Sequence, residues 1–190
     1  MRNIAIERLD ADRGAGMGHE MRRIYAEAYE KAPIAPYMDA EEFHAVLPEH
    51  FSKSGYTLMV ARDAGVPVGF CYGYPESPEV WFGERLLPRI PDRIAATARL
   101  LALCELVVAP DHQRGGLGTA LHDALIAATR PEFTSLHVIQ DNVPAWSVYT
   151  RLGYEQVGVE PASAHMGLSG PVFDVLVLDT SGVADRPRGG

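Results

Sequence analysis

A mixed α/β fold is predicted by three features of the chain. The first is Gln113-Arg114-Gly115-Gly116-Leu117-Gly118, a glycine-rich turn between the apolar run Leu100 to Val108, which reads as a buried strand, and a helical run from about Leu117 to Ala128. The second lies downstream, where the β-branched run Ser135 to Ile139 is followed by the capping residues Asp141 and Asn142 and a helical stretch closed by Gly153. The third is the order in which strand-like and helix-like runs alternate, β-α-α-β-β-β-α-β-α-β-β.

Taken in order, Asn3 to Leu9 alternates enough to be a strand, and the opening residues Met1 to Glu7 hold no apolar signal core. Gly14 to Lys31 sets Met21, Ile24, Tyr25, Ala28 and Tyr29 at helical spacing, and breaks are expected at Pro33 and Pro36. Asp39 caps a second helix with early acids Glu41 and Glu42, running toward Phe51 with an interruption around Pro48. Thr57 to Arg62 and Val66 to Tyr74 make two strands across the turn Asp63-Ala64-Gly65. Pro75 to Arg99, with prolines at 75, 78, 88 and 91 and the pair Trp81-Phe82, reads as a long loop of the kind that carries function. Strand Leu100 to Val108, the glycine turn and its helix follow. Then come strand Ser135 to Ile139, the Asn142 helix, a strand near Tyr154 to Val159 and a last strand Val172 to Leu178. The tail Ser181 to Gly190 is expected to fray, and no repeat or linker divides residues 1–180, which are expected to form one domain.

At 190 residues and 47% hydrophobic, the chain is long enough to bury a core, and no run approaches the roughly 20 apolar residues of a membrane span. Cys71 and Cys104 fall in separate apolar strand candidates without CxxC spacing, which predicts two buried free thiols and a reducing, cytoplasmic setting. The seven histidines never fall at ligand spacing beside a cysteine pair, so no metal is expected. A net charge of −8 argues against nucleic acid and suits a cationic partner. The excess is uneven: Glu27, Glu30, Asp39, Glu41, Glu42 and Glu49 face one Lys31, although solvated surface is the default for such residues.

A glycine turn that joins a strand to a helix can approach a phosphate. Glycine removes the side chains that would hold a ligand off the backbone, and the first helical turn offers unpaired N–H groups at the positive end of the dipole. No lysine follows Gly118, which excludes the G-x-x-x-x-G-K-[ST] loop, and Thr119-Ala120-Leu121 supplies no third glycine for a G-x-G-x-x-G fingerprint. What remains is [QR]-x-x-G-x-[GA] after Val108-Ala109-Pro110. Downstream, Asn142 to Tyr154 reads N-x-x-A-x-x-x-Y-x-x-x-G-[FY]. The two motifs, specific over Leu103 to Tyr154, resemble the signatures of the GNAT superfamily of acyl-CoA-dependent N-acyltransferases.

The resemblance implies a GNAT-like, mostly antiparallel twisted sheet of six to seven strands with helices on both faces. It implies acetyl-CoA as co-substrate and direct transfer of the acetyl group through a ternary complex. By the same likeness, the backbone of Leu106, Val107 and Val108 pairs with the pantetheine arm, with the Val108 N–H as oxyanion donor. Gln113, Arg114, Gly115, Gly116, Leu117, Gly118 and Thr119 cradle the pyrophosphate, Asn142 contacts pantetheine, and Tyr149 sits beside the sulfur. A phenol near ~10 can protonate a departing thiolate whose thiol is near ~8.5, which makes Tyr149 the candidate acid. Two residues compete for the base: Glu105, one position before the pantetheine-pairing segment, and His137 on the neighbouring strand, a residue type that titrates near neutral pH. Alternation does not choose between them, because a bulge inverts facing. Trp81 and Phe82 are the candidate acceptor wall, by cation–π attraction to a protonated amine. The acceptor class is a primary amine of a small molecule or a peptide, with no nucleic acid or membrane as partner and a homodimer left open. A protein N-terminal acetyltransferase and a non-catalytic acyl-CoA sensor are the alternatives.

Overall fold

The computed structural model describes residues 3–32, 34–161 and 171–181. Its elements in the first part of the chain are β1 (Ile4–Leu9), α1 (Ala11–Ala15), α2 (Gly18–Glu30), α3 (Ala40–Phe51), β2 (Thr57–Asp63), β3 (Val66–Glu76), α4 (Pro78–Leu86) and α5 (Asp92–Ala95). Then follow β4 (Leu100–Val108), α6 (Leu117–Thr129), β5 (Phe133–Ile139), α7 (Val143–Arg151), β6 (Glu155–Pro161) and β7 (Val172–Asp179). The strands form one seven-stranded sheet in the order β1-β2-β3-β4-β5-β7-β6. The recorded pairs β1–β2, β2–β3, β5–β7 and β6–β7 are antiparallel, and β4–β5 is parallel. The mixed, mostly antiparallel sheet flanked by helices is therefore as predicted. Among the described residues no helix is long and apolar enough to cross a membrane.

The chain divides into two compact units, and residues of β4 fall in each. One comprises Met1–Tyr74 and Leu103–Ala128, the other Pro75–Ala102 and Thr129–Gly190. In the first unit the β2–β3 hairpin closes through Ala64 (φ 48°) and Gly65 (φ 88°), the two positive dihedrals that a right-twisted two-residue turn requires. The helix expected over Gly14 to Lys31 is two helices, α1 capped by Asp10 and α2 starting at Gly18. The expected interruption at Pro48 is absent, since α3 runs through it to Phe51. Pro48 is exposed, and Asp39 and Glu42 form a full capping box at the other end of the helix. Phe43 and Leu47 supply the buried stripe of α3. The expected break at Pro33 and the expected frayed tail beyond Ser181 lie outside the described residues.

The second unit holds the main departure. Pro75 to Arg99 is mostly helical: Ser77 Oγ accepts from the Val80 N–H at 3.3 Å with Pro78 in the first turn, and α4, a 3-10 turn at Leu87–Arg89 and α5 follow. Phe82, Leu86, Ile90 and Ile94 recur every four residues and all lie in one core with Leu100, Phe133, Val175 and Val177. That stripe was present in the sequence. The prolines hid it, because Pro78 and Pro88 each sit in the first turn of a helical piece, where a missing N–H costs nothing.

Candidate active site

The glycine turn leaves β4 through a 3-10 turn at Pro110–His112 and enters α6 at Leu117. Its base is pinned to the first unit: the Ala109 N–H donates to Val68 O at 2.8 Å, and Gln113 Nε2 donates to Val108 O at 2.9 Å. The Gln113 amide therefore braces the loop. His112 Nε2 lies 3.1 Å from Asp63 Oδ2 at the hairpin end, a second brace that the sequence did not single out. Arg114 (φ 62°) and Gly116 (φ 84°) take left-handed dihedrals. Among the described residues, a Cβ added at Gly115 or Gly116 would meet no atom within 4 Å, and one at Gly118 would meet only Val108 Cγ2 at an ordinary 3.9 Å. Internal packing thus does not call for glycine at 115 or 118. The loop presents an open face bounded by the first-turn N–H groups of α6, which fits the pyrophosphate of a coenzyme A thioester.

Upstream of the turn, β4 pairs with β5 only over Leu100–Ala102, against Phe133–Ser135, so Leu106, Val107 and Val108 have no register with β5. Glu105 lies half-exposed on this stretch of β4, yet deep among protein atoms, and burial pushes its carboxyl up to about 8. Its charge is felt by Tyr25 and Tyr29 of α2 and by Cys71 and Tyr72 of β3, all shifted upward, chiefly by their own burial. The Tyr25 hydroxyl donates to Met38 O at 3.0 Å, and the Tyr72 hydroxyl meets His50 Nδ1 at 2.8 Å. Burial lowers His50, which keeps that ring neutral near pH 7. Glu105 therefore sits in a setting of neutral phenols that holds a proton at pH 7 and releases it near pH 8. Cys71 is buried, Cys104 is half-buried, and neither is in a disulfide.

The second unit carries the other motif. Asn142 is the N-cap of α7, its Oδ1 accepting from the Ala145 N–H at 3.2 Å, with Pro144 in the first turn. The cap takes the carboxamide oxygen and leaves Nδ2 as a donor. Tyr149 is buried on α7, its ring edge-on to Tyr154 at 5.4 Å between centroids. Gly153 (φ 93°) closes the helix, as its sequence position predicts.

His137, in mid-β5 opposite Val175, lies within the same unit. Its Nε2 is 3.4 Å from Glu160 Oε2 on β6, its ring is 4.8 Å from Trp81, and Phe173 stands edge-on at 6.2 Å. The Glu160 carboxylate is buried. Glu160 was not anticipated from the sequence, because only the β5–β7–β6 order brings it beside His137. Trp81 thus faces a histidine–carboxylate pair, and its buried Nε1 has no hydrogen-bond partner among the described residues. Phe82 does not join it: the neighbouring position on α4 points into the core, where Phe82 is 1% exposed, and packing accounts for it. A separate open cleft of about 360 Å³ lies near Glu76, Glu79 and Thr97 and touches none of the residues chosen from the sequence.

Comparison with known proteins bears on these arrangements. The model of the "Acetyltransferase (GNAT) family" matches residues 18–154. The ribosomal-protein-S18-alanine N-acetyltransferase of Escherichia coli is 16% identical with a TM-score of 0.60, covering 94% of each chain. A Salmonella typhimurium protein described as an acetyltransferase and solved with its cofactor acetyl-CoA is 18% identical with a TM-score of 0.61, covering 99% of this chain and 98% of that one. At such identities the likeness is one of fold. A mycothiol acetyltransferase from Parafrankia sp. (strain EAN1pec) is 44% identical over 52 residues, which is 27% of this chain and 16% of the length of that relative.

Proposed function

The chain belongs to the acetyltransferase (GNAT) family and is an acetyl-transferring enzyme, and from that premise we propose that it moves an acetyl group from acetyl-CoA directly to a primary amine of a small molecule or peptide. The observation that carries the choice of an amine is Glu105, a half-exposed carboxyl set among protein atoms that hold it near 8 on the strand leading into the glycine turn. An alkylamine reaches the enzyme as an ammonium and must lose a proton before its lone pair can attack. A base near 8 accepts that proton better than an ordinary carboxylate near ~4.3.

Acetyl-CoA supplies an activated acyl group on a thiol leaving group. The loop from Arg114 to Thr119 binds the pyrophosphate through backbone N–H groups, which the open Cβ directions at Gly115 and Gly118 support. The Leu106–Val108 backbone pairs with the pantetheine amides, with the Val108 N–H directed at the carbonyl oxygen that gains charge. Glu105 takes a proton from the ammonium, the freed lone pair attacks the thioester carbonyl, and the nitrogen loses its second proton to solvent as the new C–N bond forms. Tyr149 gives its proton to the sulfur as the C–S bond breaks, and Asn142 Nδ2 donates to the pantetheine arm. The Glu160–His137 pair supports a second reading of the base, since a buried carboxylate 3.4 Å from an imidazole orients the ring.

Thiol release from acetyl-CoA across a panel of small primary amines and peptides with free N-termini tests the reading. Turnover with at least one amine class is expected, and Tyr149→Phe should lower kcat by roughly tenfold or more with little change in the KM for acetyl-CoA. Acetyl-CoA binding by calorimetry without turnover on any amine would favour a non-catalytic sensor.

A further inference from the structure

Asp174 is a buried carboxylate on β7 that neither motif nor composition singled out. Its Oδ2 accepts from Trp146 Nε1 at 2.7 Å, and its Oδ1 accepts from Gln140 Nε2 and Gln156 Nε2, each at 2.7 Å. No Lys, Arg or His among the described residues lies within ion-pair distance of it. The charge is held by neutral donors alone, from the end of β5, from α7 and from β6. A buried carboxylate costs desolvation, and bonds to a charged acceptor are about twice as strong as neutral ones. A site that needed only packing would be served by a leucine.

We infer that Asp174 is a positioning residue for α7, its hydrogen bond to Trp146 setting the rotation of the helix that presents Asn142 and Tyr149. The inference rests on the reading that those two residues meet acetyl-CoA. The geometry is that of one helical stripe. Trp146 is three residues before Tyr149, so the two side chains share a face of α7, and the Trp146 backbone N–H donates to Asn142 O at 2.9 Å, so fixing Trp146 fixes the azimuth of Tyr149 and the place of the Asn142 cap. The register supports the arrangement: Asp174 stands opposite Val138 on β5 and Val159 on β6, and Gln156, opposite Leu176, shares its face of the sheet. The Gln140 bond also holds the chain just before the Asn142 cap, where the Asn142 N–H donates to Ile139 O at 2.9 Å. The carboxylate therefore anchors both the start of α7 and its middle.

The test is a double-mutant cycle. Asp174→Asn keeps shape and removes the charge, and Trp146→Phe keeps a ring and removes only the N–H donor. Each should lower kcat by roughly tenfold, since a shift of about 1 Å in a catalytic group costs up to ~100-fold. In a Tyr149→Phe background the same substitutions should lower kcat by less than about twofold, because the group they position is already gone. A merely structural role would cost the same factor in both backgrounds, and that result overturns the inference, as does full kcat in either single variant. If Asp174→Asn fails to fold, Trp146→Phe alone decides by the same comparison. Should Tyr149→Phe turn over normally, the acid role falls and the clamp is read through Asn142. Acetyl-CoA affinity by calorimetry should then weaken severalfold in Asp174→Asn, and an unchanged affinity overturns the clamp.

Discussion

Glu105 shows how much of a residue's chemistry comes from its neighbours. Its letter says only carboxylate. The surrounding phenols and strands make it a group that titrates near 8, because burial penalises the charged form. If Glu105 is the base, kcat/KM should rise with pH along an acidic limb centred near 8, and Glu105→Gln should abolish that limb while His137→Gln leaves it in place. The reverse result would move the base to the His137–Glu160 pair. The same shift has a consequence for stability. The folded state binds the Glu105 proton more tightly than the unfolded chain, whose glutamates titrate near ~4.3, so between these values the folded state holds more protons and stability falls as pH rises. Glu105→Gln should therefore gain in Tm over the parent at pH 9 by a few degrees, at roughly 2–4 °C per kcal/mol, and gain little at pH 5. Equal Tm differences at both pH values in thermal melts would show that Glu105 is ordinary. The partners that give these residues their character, Tyr72, Glu160 and Asp174, were not legible in the sequence, since each arrives from a distant strand. Asn142 was, because a cap acts on its own helix.

Elements were legible where local chemistry decides them. The capping box at Asp39, the Ala64-Gly65 hairpin and the Gly153 stop all satisfy backbone groups within a few residues. The prolines of 75–99 misled because proline excludes a helix interior but suits a first turn, and composition does not tell the two apart. Pro48 misled in the opposite way: α3 tolerates it near its end, where packing of Phe43 and Leu47 outweighs one lost bond. The glycine turn yields the sharpest prediction at this scale. Gly118 lies in the first turn of α6 without a positive φ, and an added methyl would make only an ordinary contact with Val108, so Gly118→Ala should stabilise α6, by about 1 kcal/mol at most, and raise Tm by roughly 1–3 °C. The same methyl group would stand where the pyrophosphate approaches, so acetyl-CoA should bind more weakly. Stability and affinity should move in opposite directions. If calorimetry shows unchanged affinity in the stabilised variant, the turn does not hold the phosphates.

On the scale of the whole chain, the net charge of −8 remains to be placed. The acidic run of Glu27 to Glu49 suggested a patch for drawing in a cationic acceptor, but the structure engages most of it locally. Glu27 pairs with Arg23 at 2.8 Å, Glu41 with Arg22 and Glu49 with Lys53 at 3.9 Å, while Asp39 and Glu42 close the capping box. What is left to act on a ligand is the summed field, which reaches about 10 Å at 0.1 M salt. For a cationic amine, kcat/KM should therefore fall severalfold as ionic strength rises from roughly 10 to 200 mM, a window over which the screening length shortens from about 30 Å to less than 10 Å. A neutral amine of the same size should show no such slope. Glu41→Gln, which removes a charge already met by Arg22, should leave the slope for the cationic amine nearly as it was. Trp81→Ala should raise the acceptor KM and leave acetyl-CoA affinity alone, since the indole stands over His137 rather than on the glycine turn. A rate on cationic amines that ignores salt would remove electrostatic attraction from the account. A salt slope abolished by Glu41→Gln alone would return it to the acidic run.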